Sequence, residues 1–369
     1  MTINSIWIAA LFIAGLLLNQ SCSSEKYNSG EIKMEKIERS APYKDGVFLN
    51  YKDNYEINYL QSIPILWEFL VTDNDRKPDR ELPVQKVDFR QIINAKSDEL
   101  KVTWVGHSSQ IINIDGKIIL ADPVFVNKTA FLGPSRFNGD VPLNMEELPE
   151  IDLVIISHNH YDHLNTTTIE TIHPKVKHFI TPLLVGAELE NVGVPRVKIT
   201  ELDWWEETIL FDELLIILTP AQHFSNRGLF DSNETLWGSY VIQGPYHKIY
   251  FSGDSGYSES FKQIGDKYGP FDYTFMECGA YDKRWHSMHM MPEETAQAHL
   301  DLKGKILQPI HWGTFNLALH SWYDPIVRVS KAADSLGIKL STPIVGETIT
   351  IDENLTTERW WELILNNKK

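Results

Sequence analysis

The chain has 369 residues, enough for one large α/β domain or two smaller ones. Its 34 basic and 50 acidic residues give a net charge of −16, which excludes general nucleic-acid binding and broad electrostatic adhesion to an anionic membrane. Hydrophobic residues at 43% and charged residues at 23% are ordinary for a globular protein, and two cysteines, Cys22 and Cys278, are too few for a disulfide framework.

Residues 6–18 form an uncharged apolar run, too short for a comfortable transmembrane helix. The run ends in Leu18-Asn19-Gln20-Ser21-Cys22, an apolar stretch followed by a small residue and a cysteine. This pattern resembles a bacterial lipoprotein signal. The resemblance implies a signal peptide over 1–21, acylation of Cys22, and a membrane-anchored lipoprotein of the bacterial cell envelope, on its periplasmic or outer-membrane face. A polar tether is expected over 22–40, then an N-terminal extension over 41–98 packed on the main domain. Within the extension, residues 60–70 are conspicuously apolar and include Trp67. They read either as a helix against the main domain or as an apolar face that reaches lipid. Cys278 reads as a buried small hydrophobe.

From residue 99 onward the pattern is regular. Strands are expected over 101–105 and 110–114, then after an Asp115-Gly116 hairpin turn over 117–120. Further strands are expected over 154–157, 179–184, 214–219, 239–243, 249–251 and 273–276. Helices are expected over 166–172, over 292–302 with Pro292 in the first turn, and over 326–336 with Gly337 just past the end. Early strands form hairpins and later ones alternate with helices, in two similar halves. Two mixed sheets packed face to face with helices outside follow, an α+β architecture.

The densest chemistry is Ser157-His158-Asn159-His160-Tyr161-Asp162-His163, directly after the apolar run 151–156. His and Asp are the usual donors for zinc and its neighbours. Alternation puts His158 and His160 on one side of an extended segment, while Asp162 and His163 follow the turn and can face a second ion. Packing these side chains without a metal would bury several polar groups at a cost each. Three more motifs stand just past expected strands: Pro220-Ala221-Gln222-His223, Ser252-Gly253-Asp254 and Pro309-Ile310-His311-Trp312-Gly313. Rigid strands commonly hold site residues on such loops.

These motifs resemble the metallo-β-lactamase superfamily and, within it, the N-acyl-phosphatidylethanolamine-hydrolysing phospholipase D family. The narrower resemblance rests on Asp203-Trp204-Trp205, Gly279-Ala280-Tyr281, Pro292-Glu293-Glu294 and His311-Trp312-Gly313-Thr314-Phe315. It implies the four-layer αββα fold and two Zn2+ per chain. One zinc would take His158, His160 and His223, the other Asp162, His163 and His311, with Asp254 bridging. Asp162, Asp254 and His289 would be the catalytic residues, with Tyr161 and His289 contacting substrate and His286 an alternative to His289. His107 and Asp122 are expected to orient the ligand imidazoles. Phe224-Ser225-Asn226 follows His223 and lacks the lysine with which the mammalian enzyme binds bile acids, so that regulation does not carry over. The implied activity is hydrolysis of N-acyl-phosphatidylethanolamine to N-acylethanolamine and phosphatidic acid. Hydrolysis of another ester, such as a cyclic phosphodiester or a lactone, and a non-catalytic lipid-binding lipoprotein remain the alternatives. The expected partners are a phospholipid and a membrane, reached through the anchor and the 60–70 segment, and no nucleic acid; a homodimer is left open.

Overall fold

The structure is a computed structural model and describes residues 34–52, 59–72, 74–131, 133–228, 230–352, 355 and 357–366. The expected signal, Cys22 and the first part of the expected tether lie outside the described residues. The described part of the expected 22–40 tether, from Met34 on, contacts the main body. Helix α1 (Met34–Glu38) packs on the main body, with Ile37 buried and Lys36 Nζ donating to Glu201 O at 2.9 Å. Those contacts lie more than 160 residues away in sequence, so local polarity gave no sign of them.

A short hairpin, β1 (Tyr43–Lys44) and β2 (Val47–Phe48), leads to α2 (Tyr59–Val71) and α3 (Phe89–Ile93). The apolar 60–70 segment is therefore helical. Ile63, Trp67 and Val71 are exposed, at 61%, 58% and 55%, and their spacing of four places them on one face. Among the described residues, no helix is long and apolar enough to cross a membrane.

The first sheet holds β3 (Leu100–Trp104), β4 (Gln110–Ile114), β5 (Lys117–Ala121), β6 (Ile151–Ile155), β7 (Val176–Pro182), β8 (Ile199–Leu202) and the late strand β16 (Thr348–Thr350). Its order is β16-β3-β4-β5-β6-β7-β8. Asp115 and Gly116 both take positive φ, 53° and 82°, and so close the β4–β5 hairpin with Ile114 opposite Lys117. The second sheet holds β9 (Glu207–Leu210), β10 (Leu214–Thr219), β11 (Ser239–Gln243), β12 (Lys248–Phe251), β13 (Tyr273–Glu277), β14 (Ile306–Ile310) and β15 (Lys339–Leu340). Its order is β15-β14-β13-β12-β11-β10-β9.

Ile112, Leu153, Ile180, Ile216, Tyr240 and Phe275 belong to one buried cluster between the sheets. A second cluster joins the first sheet to α4 (Thr166–Ile172) and α5 (Gly186–Asn191). A third joins the second sheet to α6 (Ser260–Tyr268), α7 (Pro292–Asp301), α8 (Asp324–Leu336) and α9 (Trp360–Asn366). The layers are therefore helix, sheet, sheet, helix. The strand expected over 154–157 runs instead from Ile151 to Ile155, and its earlier end frees Ser157 from the ladder. Helix α6 was not legible because its sequence is polar and carries Gly265 in its interior, where Gly weakens a helix.

Candidate metal centre

Sheet topology gathers the ligand candidates. β5, β6 and β7 run parallel, as do β12, β13 and β14, so their C-terminal ends share an edge within each sheet, the edge where α/β folds place their sites. His158, His160, Asp162 and His163 follow β6, His223 follows β10, Asp254 follows β12 and His311 follows β14. Gly253 permits the Asp254 turn: its φ is +55°, and a Cβ there would lie 2.5 Å from the Cβ of Ser157.

Two triads result. In the first, His160 Nδ1 lies 2.8 Å from His158 Nε2 and 3.3 Å from His223 Nε2. In the second, Asp162 Oδ2 lies 3.7 Å from His163 Nε2 and 3.5 Å from His311 Nε2. Asp254 Oδ2 stands between them, 3.2 Å from His163 Nε2, 3.0 Å from His311 Nε2 and 3.9 Å from His223 Nε2. Ligands about 2.0–2.2 Å from one tetrahedral ion stand about 3.3–3.6 Å apart, and these separations of 2.8–3.9 Å bracket that value. His163 Nε2, His311 Nε2 and Asp254 Oδ1 are buried without a hydrogen-bond partner. Buried polar atoms are normally satisfied, and cations between the triads would satisfy these three.

The electrostatics agree. Burial pushes the His158 and His223 pKa values well below the usual imidazole value and His160 down to about 4, so these rings are neutral, the form that binds metal. Burial also lowers His163 and His311, but carboxylates led by Asp254 overcome it, holding His163 well above the usual value and pushing His311 up to about 10. For Asp162 and Asp254, burial is the largest influence and raises the pKa, yet the surrounding histidines, His163 foremost, keep both well below the usual carboxylate range. The chain alone thus holds protons on two imidazoles against two buried carboxylates. That positive charge is what bound cations would supply.

The residues expected to orient the ligand rings lie beside them. Asp122 is fully buried; its Oδ2 accepts from His163 Nδ1 at 2.7 Å and Ser157 Oγ at 2.5 Å, and its Oδ1 from Ser157 N at 2.7 Å. Ser157 Oγ is in turn 2.9 Å from His158 Nδ1. His107 Nε2 lies 2.9 Å from Asp162 Oδ2, and burial takes its pKa down to about 3, so the neutral ring donates. His223 Nδ1 donates to Met288 O at 3.1 Å. Sequence reasoning missed Arg136, whose buried guanidinium donates to Val105, Val124 and Val126 carbonyls and so ties together the loops carrying His107 and Asp122.

The two expected substrate contacts differ. His289 lines a cavity of about 250 Å³, together with His160, Asp162, Asp254 and His311. His286 is not among the lining residues. Tyr161 is not either: its hydroxyl donates to Arg227 O at 3.0 Å, and the Arg227 guanidinium covers its ring at 4.1 Å. Arg227 also donates to Asn159 O and Leu164 O, bracketing the ligand loop. Phe224, Trp285, Met288 and Leu317 give the cavity an apolar wall that the sequence did not disclose. Also missed was Glu277, fully buried at the end of β13; a single acid past a strand would have been the signal.

Comparison with known proteins agrees with this geometry. The family described as the beta-lactamase superfamily domain matches residues 117–312. An uncharacterized protein of Mycobacterium tuberculosis is 37% identical over 335 residues, 88% of each chain. The N-acyl-phosphatidylethanolamine-hydrolyzing phospholipase D 1 of Caenorhabditis elegans is 34% identical over 263 residues, 66% of this chain and 72% of that protein. A metallo hydrolase from the archaeon Ignicoccus hospitalis shares the fold, with a TM-score of 0.55 at 22% identity, covering 69% of this chain and 99% of that one. With its sheets, its ligand loops and these relatives in agreement, the chain belongs to the metallo-β-lactamase superfamily as a metal-dependent hydrolase, homologous to the N-acyl-phosphatidylethanolamine-hydrolysing phospholipases D.

Proposed function

We propose that the protein is a phospholipase D-type phosphodiesterase that hydrolyses N-acyl-phosphatidylethanolamine to N-acylethanolamine and phosphatidic acid, using two zinc ions. The observation that carries this reading is the mixed lining of the cavity. It combines His160, Asp162, Asp254, His289 and His311 with the apolar Phe224, Trp285, Met288 and Leu317. Such a cavity suits an anionic head group attached to apolar chains. Its volume of about 250 Å³ fits the phosphodiester and leaves the acyl chains outside.

Two zinc ions, held by His158, His160 and His223 and by Asp162, His163 and His311 with Asp254 shared, would supply Lewis acidity and an activated water. The chain's own groups do the rest. Asp122, Ser157 and His107 fix the ligand rings and carboxylates in place. His289 faces the cavity beside them, within reach of a phosphoryl or leaving-group oxygen. The apolar wall excludes water around the scissile bond.

The reading extends to the membrane. Ile63, Trp67 and Val71 form the exposed apolar stripe of α2, and Glu68 on that helix pairs with Arg284 at 2.8 Å, next to Trp285 of the cavity wall. Trp and aliphatic side chains on one helical face suit the interface of a bilayer. An acylated Cys22 would hold the enzyme there, in the bacterial envelope. The test is release of N-acylethanolamine from N-acyl-phosphatidylethanolamine vesicles by purified enzyme, measured by mass spectrometry with and without chelator. Chelator-sensitive release is expected. No release, alongside efficient cleavage of a soluble lactone or cyclic phosphodiester, would replace this reading with the other hydrolase.

A further inference from the structure

Glu277 is not one of the seven expected ligands, yet the fold places its carboxylate against His289, which lines the cavity. It ends β13 and is fully buried. Oε1 accepts from Gly279 N at 3.0 Å and from His289 Nδ1 at 3.2 Å, and Oε2 accepts from Met290 N at 3.0 Å. No Lys or Arg is among these partners. A buried carboxylate is costly unless paired, and backbone donors alone could be met by a neutral side chain. Of its hydrogen-bond partners, the one that gains from a carboxylate is His289.

His289 has one nitrogen committed to that contact. Its ring lines the cavity, 5.2 Å between centroids from His223 and 5.4 Å from His311. With Nδ1 donating to Glu277, Nε2 on the far side of the ring is the nitrogen left to meet a bound molecule. The backbone of the next residue is held by the same carboxylate through Met290 N. Glu277 therefore fixes both the ring's rotation and the strand of chain that carries it.

We propose that Glu277 is a positioning residue, holding His289 so that Nε2 contacts the phosphoryl or leaving-group oxygen of the substrate; this rests on the reading of the site as a phosphodiesterase. The carboxylate touches no substrate itself. Its effect reaches the reaction only through the orientation of His289.

The test is a double-mutant cycle on the metal-loaded full chain, with Glu277→Gln, His289→Ala and the pair. Two substrates are used: N-acyl-phosphatidylethanolamine vesicles and soluble bis-p-nitrophenyl phosphate. Gln keeps the shape, but its amide puts a donor against at least one N–H that the carboxylate accepts. A fall in kcat/KM of about 10–100-fold is expected for Glu277→Gln, and no further fall when it is added to His289→Ala. Metal content should stay at the wild-type value, and the long-range 15N spectrum of the wild type should show His289 protonated at Nδ1. Additive losses would make Glu277 a structural residue and overturn the proposal. Loss of metal in Glu277→Gln would make it a ligand and overturn it too, as would a wild-type His289 unprotonated at Nδ1. If neither substrate is cleaved, the phosphodiesterase reading fails, and the spectrum still decides whether Glu277 holds the ring.

Discussion

Replacing Asp122 with Asn tests whether the metal centre depends on the contacts behind it. The carboxylate accepts three hydrogen bonds in a fully buried setting: Ser157 N at Oδ1, and Ser157 Oγ and His163 Nδ1 at Oδ2. Asn preserves the shape but turns one end into a donor. Placed at the Oδ2 position, the amide faces His163 Nδ1 and drives that ring's proton to Nε2, the atom that points at the site. Placed at the Oδ1 position, it meets Ser157 N–H head-on. Either way one charge-assisted hydrogen bond is lost, worth about 1.5–3 kcal/mol. At about 1.4 kcal/mol per decade this is roughly a 10–150-fold loss of metal affinity, in line with the ~10–100-fold typical for partners that orient metal ligands. The assay is chelator competition on the reloaded protein, with far-ultraviolet circular dichroism confirming the fold. A folded Asp122→Asn protein that binds metal within about twofold of wild type would refute the reasoning, because His163 would then be oriented without Asp122.

Asp254→Asn should lower metal content at both triads from a single substitution, read by elemental analysis; a loss confined to one triad would show that Asp254 is not shared. Ile63→Ser with Trp67→Ser should reduce hydrolysis of vesicle substrate by about tenfold or more while leaving a soluble chromogenic diester unchanged, since both side chains are exposed and burying each in lipid is worth about 1.5–3 kcal/mol. Equal loss on both substrates would make α2 a packing element instead. His247 is raised above the usual imidazole pKa by its hydrogen bond to Asp115, against a smaller lowering by burial. Its folded pKa exceeds the unfolded one, so this stabilisation is complete below about pH 6.5 and is lost as pH rises through the folded value. Asp115→Asn should bring the His247 titration, followed by NMR, down toward the unperturbed value and flatten the dependence of Tm on pH across that window; an unmoved midpoint contradicts the assignment. Gly256→Ala should lower stability by about 1–3 kcal/mol and impair turnover, because the added Cβ would sit 1.9 Å from Ser287 O and must push the chain carrying His289. Wild-type melting and turnover would show that this segment yields freely.

The candidate ligands were legible as a cluster because most of them are local. His158, His160, Asp162 and His163 occupy six consecutive positions after a plainly apolar strand, and His223, Asp254 and His311 each stand just past another. The two sheets were legible through alternation and the Asp115-Gly116 turn. What escaped depends on residues far apart in the chain. The hydroxyl of Tyr161 is turned by Arg227, 66 residues on, so its place in the motif could not tell where it points. β16 exists as a strand because it pairs with β3, with Thr348 opposite Thr103; its own three residues are β-branched but too short a run to mark a strand. Glu277 is one acidic residue among 50, and only the closure of the 287–290 segment over β13 gives it His289 as a partner.

That same segment joins the cavity to the molecular surface. Arg284 holds Asp282 with its guanidinium and reaches Glu68 of α2 at 2.8 Å. Trp285 donates to Ala280 O at 2.7 Å and forms part of the cavity wall. Met288 N donates to Trp285 O at 2.9 Å, and Met288 O accepts from the candidate ligand His223. Five residues, 284–288, thus run from the contact with the helix that bears the apolar stripe to the carbonyl that holds the candidate ligand His223. The two ends are held very differently. The Glu68–Arg284 pair is well exposed, and such pairs are worth about 0–1 kcal/mol. The contacts around Met288 and His223 are buried and cost far more to break. The Glu68–Arg284 contact can therefore break without disturbing the His223 end, so motion at the outer end of the segment need not alter the geometry of the candidate metal site.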